Sequence, residues 1–94
     1  MQIDWSPRAL QNLRHIRSYI ARDNPAAARA VAQAIEDQAN RLSRHPRRGT
    51  ARPGGFREIV EPRYRYMVRY DLLPDDTAPM RVHILSIWHP KQAR

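Results

Sequence analysis

The stretch YRYMVRYDL, residues 64–72, decides how this chain is built. Read with a period of two, it sets Tyr64, Tyr66, Val68, Tyr70 and Leu72 on one side. Arg65, Met67, Arg69 and Asp71 fall on the other. Such alternation predicts a strand with one face against a core and one face open. The buried face would be aromatic and aliphatic, while the open face would carry two guanidinium groups. The sequence therefore asks what an arginine-bearing sheet surface is for.

Toward the C-terminus, LPDDTAP (73–79) reads as a polar turn, and MRVHILSIW (80–88) is a β-branched run suited to an interior strand covered on one face. HPKQAR (89–94) reads as a tail. Before the opening stretch, FREIVE (56–61) reads as a short strand and the following Pro-Arg as a turn. HPRRGTARPGG (45–55) reads as a loop, since it holds all three glycines of the chain. Upstream lie two helical patterns. Ser6 and Pro7 form a cap-plus-proline start, with Trp5 and Leu10 placed as a hydrophobic staple across it. Leu10, Leu13, Ile16 and Ile20 then form a stripe to about Ala21. Asn24 and Pro25 repeat the device, and Ala28, Val31, Ile35, Ala39 and Leu42 continue as a second stripe, ending near Arg44 ahead of Pro46. QIDW (2–5) is a candidate first strand.

The predicted order is β-α-α-β-β-β. This is an α+β fold in which an N-terminal helical hairpin packs on one face of a small antiparallel sheet. At 94 residues the chain is read as one domain, 1–94, with a single core. It has no cysteine, which excludes disulfides and thiolate metal sites. No apolar run approaches the roughly 20 residues of a membrane span, so a soluble cytoplasmic protein without a membrane partner is expected.

Charge is the strongest functional signal. Lys+Arg 17 against Asp+Glu 9 gives +8, and sixteen of the seventeen cations are arginine. GC-rich codon usage can account for the arginine-to-lysine ratio, but the net charge itself calls for an anionic partner, nucleic acid or an acidic protein segment. Residues 1–40 are near balance with five arginines and four acids, whereas residues 41–69 hold nine arginines against Glu58 and Glu61. The four histidines, His15, His45, His83 and His89, have no metal-ligand spacing, so no metal or cofactor is expected. No phosphate-binding glycine loop occurs. The candidate functional set is Arg57, Arg65 and Arg69 with His89 at the strand end. It could cleave RNA, with the histidine moving a proton and the arginines stabilising the phosphorane, or bind an acidic peptide with no chemistry.

Several segments together resemble the RelE/ParE superfamily, the toxins of bacterial type II toxin–antitoxin pairs. They are ALQNLRHIRSYI in the first helix, NPAAA opening the second, LxxHPRRG after it, REI at 57–59, YxVxY at 66–70 and VxILxIWH at 82–89. The resemblance runs over about residues 3 to 92 and implies two branches. RelE-like members are ribosome-dependent mRNA endonucleases that typically carry an arginine three positions before the aromatic of the central strand. With Tyr70 as that aromatic, this chain has Met67 there, which has no N–H to offer a phosphate. ParE-like members inhibit DNA gyrase without catalysis of their own, and the helical hairpin, the HPRRG loop, REI and the histidine-ended last strand look more like this branch. The resemblance therefore implies a ParE-like toxin neutralised by a cognate antitoxin, whose acidic segment would lie on Arg57, Arg65, Met67, Arg69 and His89. A nuclease acting on ribosome-bound mRNA, or a non-toxic RNA-binding module, is the alternative.

Overall fold

The structure is a computed structural model describing residues 2–74 and 80–91. The elements run β1 (Gln2–Trp5), α1 (Pro7–Ala21), α2 (Pro25–Arg41), β2 (Thr50–Arg52), β3 (Phe56–Val60), β4 (Met67–Leu73) and β5 (Arg81–Trp88). Most of the turn expected at 73–79 and the end of the expected tail lie outside the described residues.

Both helices begin as their sequences dictate. The Ser6 hydroxyl accepts from the Ala9 N–H at 3.0 Å, and Asn24 Oδ1 accepts from Ala27 N–H at 3.0 Å, each with proline behind the cap. Ser6 also donates to the Leu85 carbonyl at 3.0 Å, so one side chain starts α1 and docks it on β5. The α2 stripe is buried throughout, from Ala28 to Leu42. The α1 stripe is shifted by one residue at its start. Ala9 is fully buried, while Leu10, expected in the core, is 41% exposed. A small side chain at position 9 suits close approach of α1 to the sheet, and Leu10 is turned off that line.

Among the described residues the sheet has five strands in the order β1-β5-β4-β3-β2. It differs from the expectation in two ways. Thr50–Arg52, read as loop, is a short edge strand antiparallel to β3. Residues Gly54 and Gly55, both at positive φ, make the tight return between β2 and β3. The sheet is also mixed, because β1 pairs parallel with β5. The antiparallel rule governs neighbours joined by short links; β1 and β5 are the first and last strands, so the whole chain path sets their direction. Beyond β1, the edge of β5 is protected by α1: the Ile87 N–H donates to Asn12 Oδ1 at 3.0 Å.

One core joins Leu13, Ile16, Val31, Ile35 and Leu42 of the helical layer to Ile59, Val68, Tyr70, Val82, Ile84 and Ile87 of the sheet. Its sheet side is the aromatic–aliphatic face expected from the opening stretch. A bulge interrupts the β4–β5 ladder, where Arg69 pairs with Ser86 but Tyr70 pairs with Ile84. Leu85 is the extra residue, so burial on β5 runs 82, 84, 87 rather than alternating strictly.

Candidate functional site

The arginines expected to share the open sheet face do not share it. Arg57 stands opposite Tyr70 in the β3–β4 register, on the helix-covered side with Ile59. Its guanidinium donates to the carbonyls of Gly49 at 2.7 Å and Arg47 at 3.2 Å. Tyr70, with no solvent exposure, completes the clamp: its hydroxyl donates to the Pro46 carbonyl at 2.7 Å and accepts from the Gly49 N–H at 2.9 Å. Burial pushes the Tyr70 phenol up from its ordinary value, and the Gly49 N–H and Arg57 charge pull only partly against it. Gly49 is required by proximity, since a Cβ there would meet the Tyr70 hydroxyl at 2.7 Å and the Glu58 carbonyl at 2.9 Å. Arg57 and Tyr70 thus hold the loop 46–49 from beneath.

Arg65 is not on a strand. Residues 64–66, expected to begin β4, precede it at the end of a turn over 62–64 organised by Glu61, which is 2% exposed. The Glu61 carboxylate accepts from the Arg63 N–H at 2.8 Å and the Tyr64 N–H at 2.7 Å, and its carbonyl accepts from the Arg65 N–H at 2.9 Å. Arg65 has φ 70, the left-handed region, and is exposed. Local carboxylate–backbone bonding has overridden the strand pattern there. Tyr64 and Tyr66 nevertheless join the core, as their parity indicated.

His89 follows β5 and meets the Tyr66 ring edge-on, with centroids 5.1 Å apart. Tyr66 is a core residue whose phenol is raised by burial. His89 therefore packs against the core rather than joining Arg69, and its Nδ1 accepts from the Lys91 N–H at 3.1 Å.

Met67 and Arg69 do lie on the open face. Met67 pairs with Trp88 across β5 and Val60 across β3. The Arg69 guanidinium lies 4.4 Å from the Phe56 ring centroid and 4.8 Å from that of Trp88. It donates through Nε at 3.2 Å and Nη2 at 2.9 Å to one Glu58 oxygen, while Arg52 takes the other at 2.9 Å. Burial raises the Glu58 carboxyl, but the hydrogen bonds and charges of Arg69 and Arg52 outweigh it and hold the group below its ordinary range. The result is a cationic, aromatic platform whose central arginine already has a carboxylate. Two of its five N–H donors are used, leaving three for a partner. Farther along the same face, His83 Nδ1 stands 3.4 Å from Asp71, and Arg81 pairs with Asp4 at 3.0 Å. His83, which has no metal-ligand spacing in the sequence, lies two residues from Arg81 and so shares its side of β5. Among the described residues no three His, Asp or Glu side chains converge as a metal site would require.

The chain and its fold match known proteins. The family described as ParE toxin of type II toxin–antitoxin systems, parDE, fits residues 3–94. The chain belongs to the ParE toxin family. It is 36% identical over 90 residues to Toxin RelE2 of Caulobacter vibrioides, covering 94% of this chain and 93% of that protein. It is 34% identical over 94 residues to the putative toxin Y4kP of Sinorhizobium fredii, covering 97% and 90% respectively. A solved chain described as the chromosomal ParDE TA system from P. aeruginosa shares the fold, with a TM-score of 0.77, 22% identity and 95% of each chain covered. This ParE-family chain is thus the toxin component of a type II pair, within the RelE/ParE superfamily, and its family implies a cognate antitoxin as partner. Among the described residues no helix is long and apolar enough to cross a membrane.

Proposed function

We propose that this toxin acts in the cytoplasm by binding DNA gyrase, without catalysis, and that the cognate antitoxin neutralises it with an acidic C-terminal segment laid over the open sheet face. The observation that carries this reading is the make-up of the platform. Met67 stands beside Trp88, and Arg69 is bonded to Glu58 and flanked by aromatic rings, while His89 packs on Tyr66. Ribonuclease chemistry needs an uncommitted cation at the phosphorane and a proton-transfer group in reach of the same phosphate. The residues that resemblance would assign to those roles are apart or engaged. A surface of aromatic rings, methionine and a held guanidinium suits a protein partner, whose apolar side chains would bury against it and whose carboxylates would reach the free N–H groups.

Purified toxin added to gyrase and relaxed plasmid tests the reading: supercoiling should fall at near-stoichiometric toxin, and mRNA on programmed ribosomes should stay intact. Codon-dependent mRNA cleavage with gyrase unaffected, lost on His89→Ala, would establish the nuclease reading in its place. Steeply salt-dependent binding to generic RNA with neither effect would leave an RNA-binding module.

A further inference from the structure

The loop after α2 carries a cluster of arginines that, among the described residues, belongs to neither the core nor the platform. Arg44, His45, Arg47 and Arg48 are all exposed. Among the described residues none of the three arginines has a carboxylate partner, although Arg52, Arg69 and Arg81 each do. Among the described residues the Arg47 side chain reaches only the Met80 sulfur, at 3.9 Å. The backbone beneath them is closed by hydrogen bonds. His45 N–H donates to the Arg41 carbonyl and Arg48 N–H to the His45 carbonyl, each at 3.1 Å, and the Pro46, Arg47 and Gly49 carbonyls are taken by Tyr70 and Arg57. Two buried or half-buried polar side chains are thus spent on fixing a surface loop whose own side chains point outward.

We infer that this loop is a docking site for the sugar–phosphate backbone of duplex DNA. Guanidinium groups suit phosphate oxygens, and a loop fixed in advance loses little entropy on binding. An acidic peptide needs apolar anchors beside its charges, and single-stranded nucleic acid needs aromatic rings for stacking. The large anchors and rings of that kind lie on the platform, at Phe56, Val60 and Trp88, whereas this loop offers only the His45 imidazole and the Pro46 ring beside its arginines. The exposed large hydrophobics among the described residues, Leu10, Tyr19 and Val60, include none from it. The duplex presents phosphates without exposed base faces, and phosphate contact is what the loop can supply. This inference concerns a different surface from the platform and stands whether or not gyrase is the target.

The experiment is fluorescence anisotropy of the full-length protein on a labelled 30-base-pair duplex from 50 to 200 mM salt. Each phosphate neutralised on B-DNA contributes about 0.9 to the slope of log K against log salt. The triple variant Arg44→Gln, Arg47→Gln, Arg48→Gln should therefore flatten the slope by about 2 to 3. The single variants Arg47→Gln and Arg48→Gln should each flatten it by about 1. A charge-matched triple on α1, Arg8→Gln, Arg14→Gln, Arg17→Gln, should leave it within about 1 of wild type. Equal flattening by both triples would mean diffuse charge rather than a site. No effect of the loop triple, no duplex binding by wild type, or stronger loop-dependent binding of polyglutamate or single-stranded DNA would each overturn the inference.

Discussion

Arg57 and Arg69 sit on neighbouring strands, opposite Tyr70 and Glu58 respectively, and do opposite things. Arg57, on the helix-covered face, spends its donors on two backbone carbonyls and so shapes a loop. Arg69, on the open face, lies by two aromatic rings and a carboxylate and so shapes a surface. The side chains are identical; strand parity assigns the roles. The helix-covered face is where loss of a side chain should damage folding, and the open face is where it should damage partner binding.

The largest expected difference tests that division directly. Tyr70→Ala should cost about 3–5 kcal/mol of stability, through the lost ring and the freed loop, as measured by urea unfolding. Arg69→Ala should cost only about 1 kcal/mol, because its ion pair and cation–π contacts are partly solvated. It should weaken antitoxin binding instead. Equal stability losses would break the comparison. Gly49→Ala comes next, at about 1–3 kcal/mol, because the new methyl meets the Tyr70 hydroxyl and the Glu58 carbonyl. Combined with Tyr70→Phe, which removes the nearest atom, its additional cost should shrink; unchanged additivity would show that the clamp does not couple the two residues.

Glu58→Gln sharpens the open-face half. The Glu58 carboxyl is held below its ordinary value of 4.5, so its stabilisation is complete above that pH and disappears as pH falls through the lower folded value. The variant should be less stable at neutral pH by about 1 kcal/mol, the partners being half exposed. Its stability should also fall less steeply than wild type below pH 4.5. Parallel acid-unfolding curves would remove Glu58 as the acid-sensitive group. The smallest effect belongs to Met67→Arg, expected within about 0.5 kcal/mol of wild type. The added guanidinium should not create mRNA cleavage on programmed ribosomes, since no proton-transfer group comes with it.

The residues that the structure places off the open face leave it for different reasons. Arg57 has the parity of buried Ile59, so its side could have been read from FREIV alone; net charge drew it to the open face instead. Arg65 has the correct parity for the open face, but the Glu61 carboxylate captures two backbone N–H groups and turns the chain before the strand begins. That contest between a local hydrogen bond and a strand pattern is not visible in alternation. His89 was placed at the edge of the arginine face from its position after the strand; packing on Tyr66 set its side. Met67 and Arg69 keep the side that alternation gives them, because the extra residue of the bulge is in β5 and β4 itself runs without interruption.

Sequence alone determined what depends on near neighbours: both capped helix starts, the α2 stripe, the three principal strands, the strand before α1 and the excess of arginine after residue 40. Hydrogen-bond caps and hydrophobic periods act over a few residues, so they are written locally. Tertiary structure decided the parallel pairing of β1 with β5, the bulge at Leu85, the loop clamp by Tyr70 and Arg57, and the engagement of Arg69 by Glu58, Phe56 and Trp88. Each of these joins residues whose meeting depends on the path of the whole chain. The sequence supplied the charges, and the fold determined which of them lie on the open face.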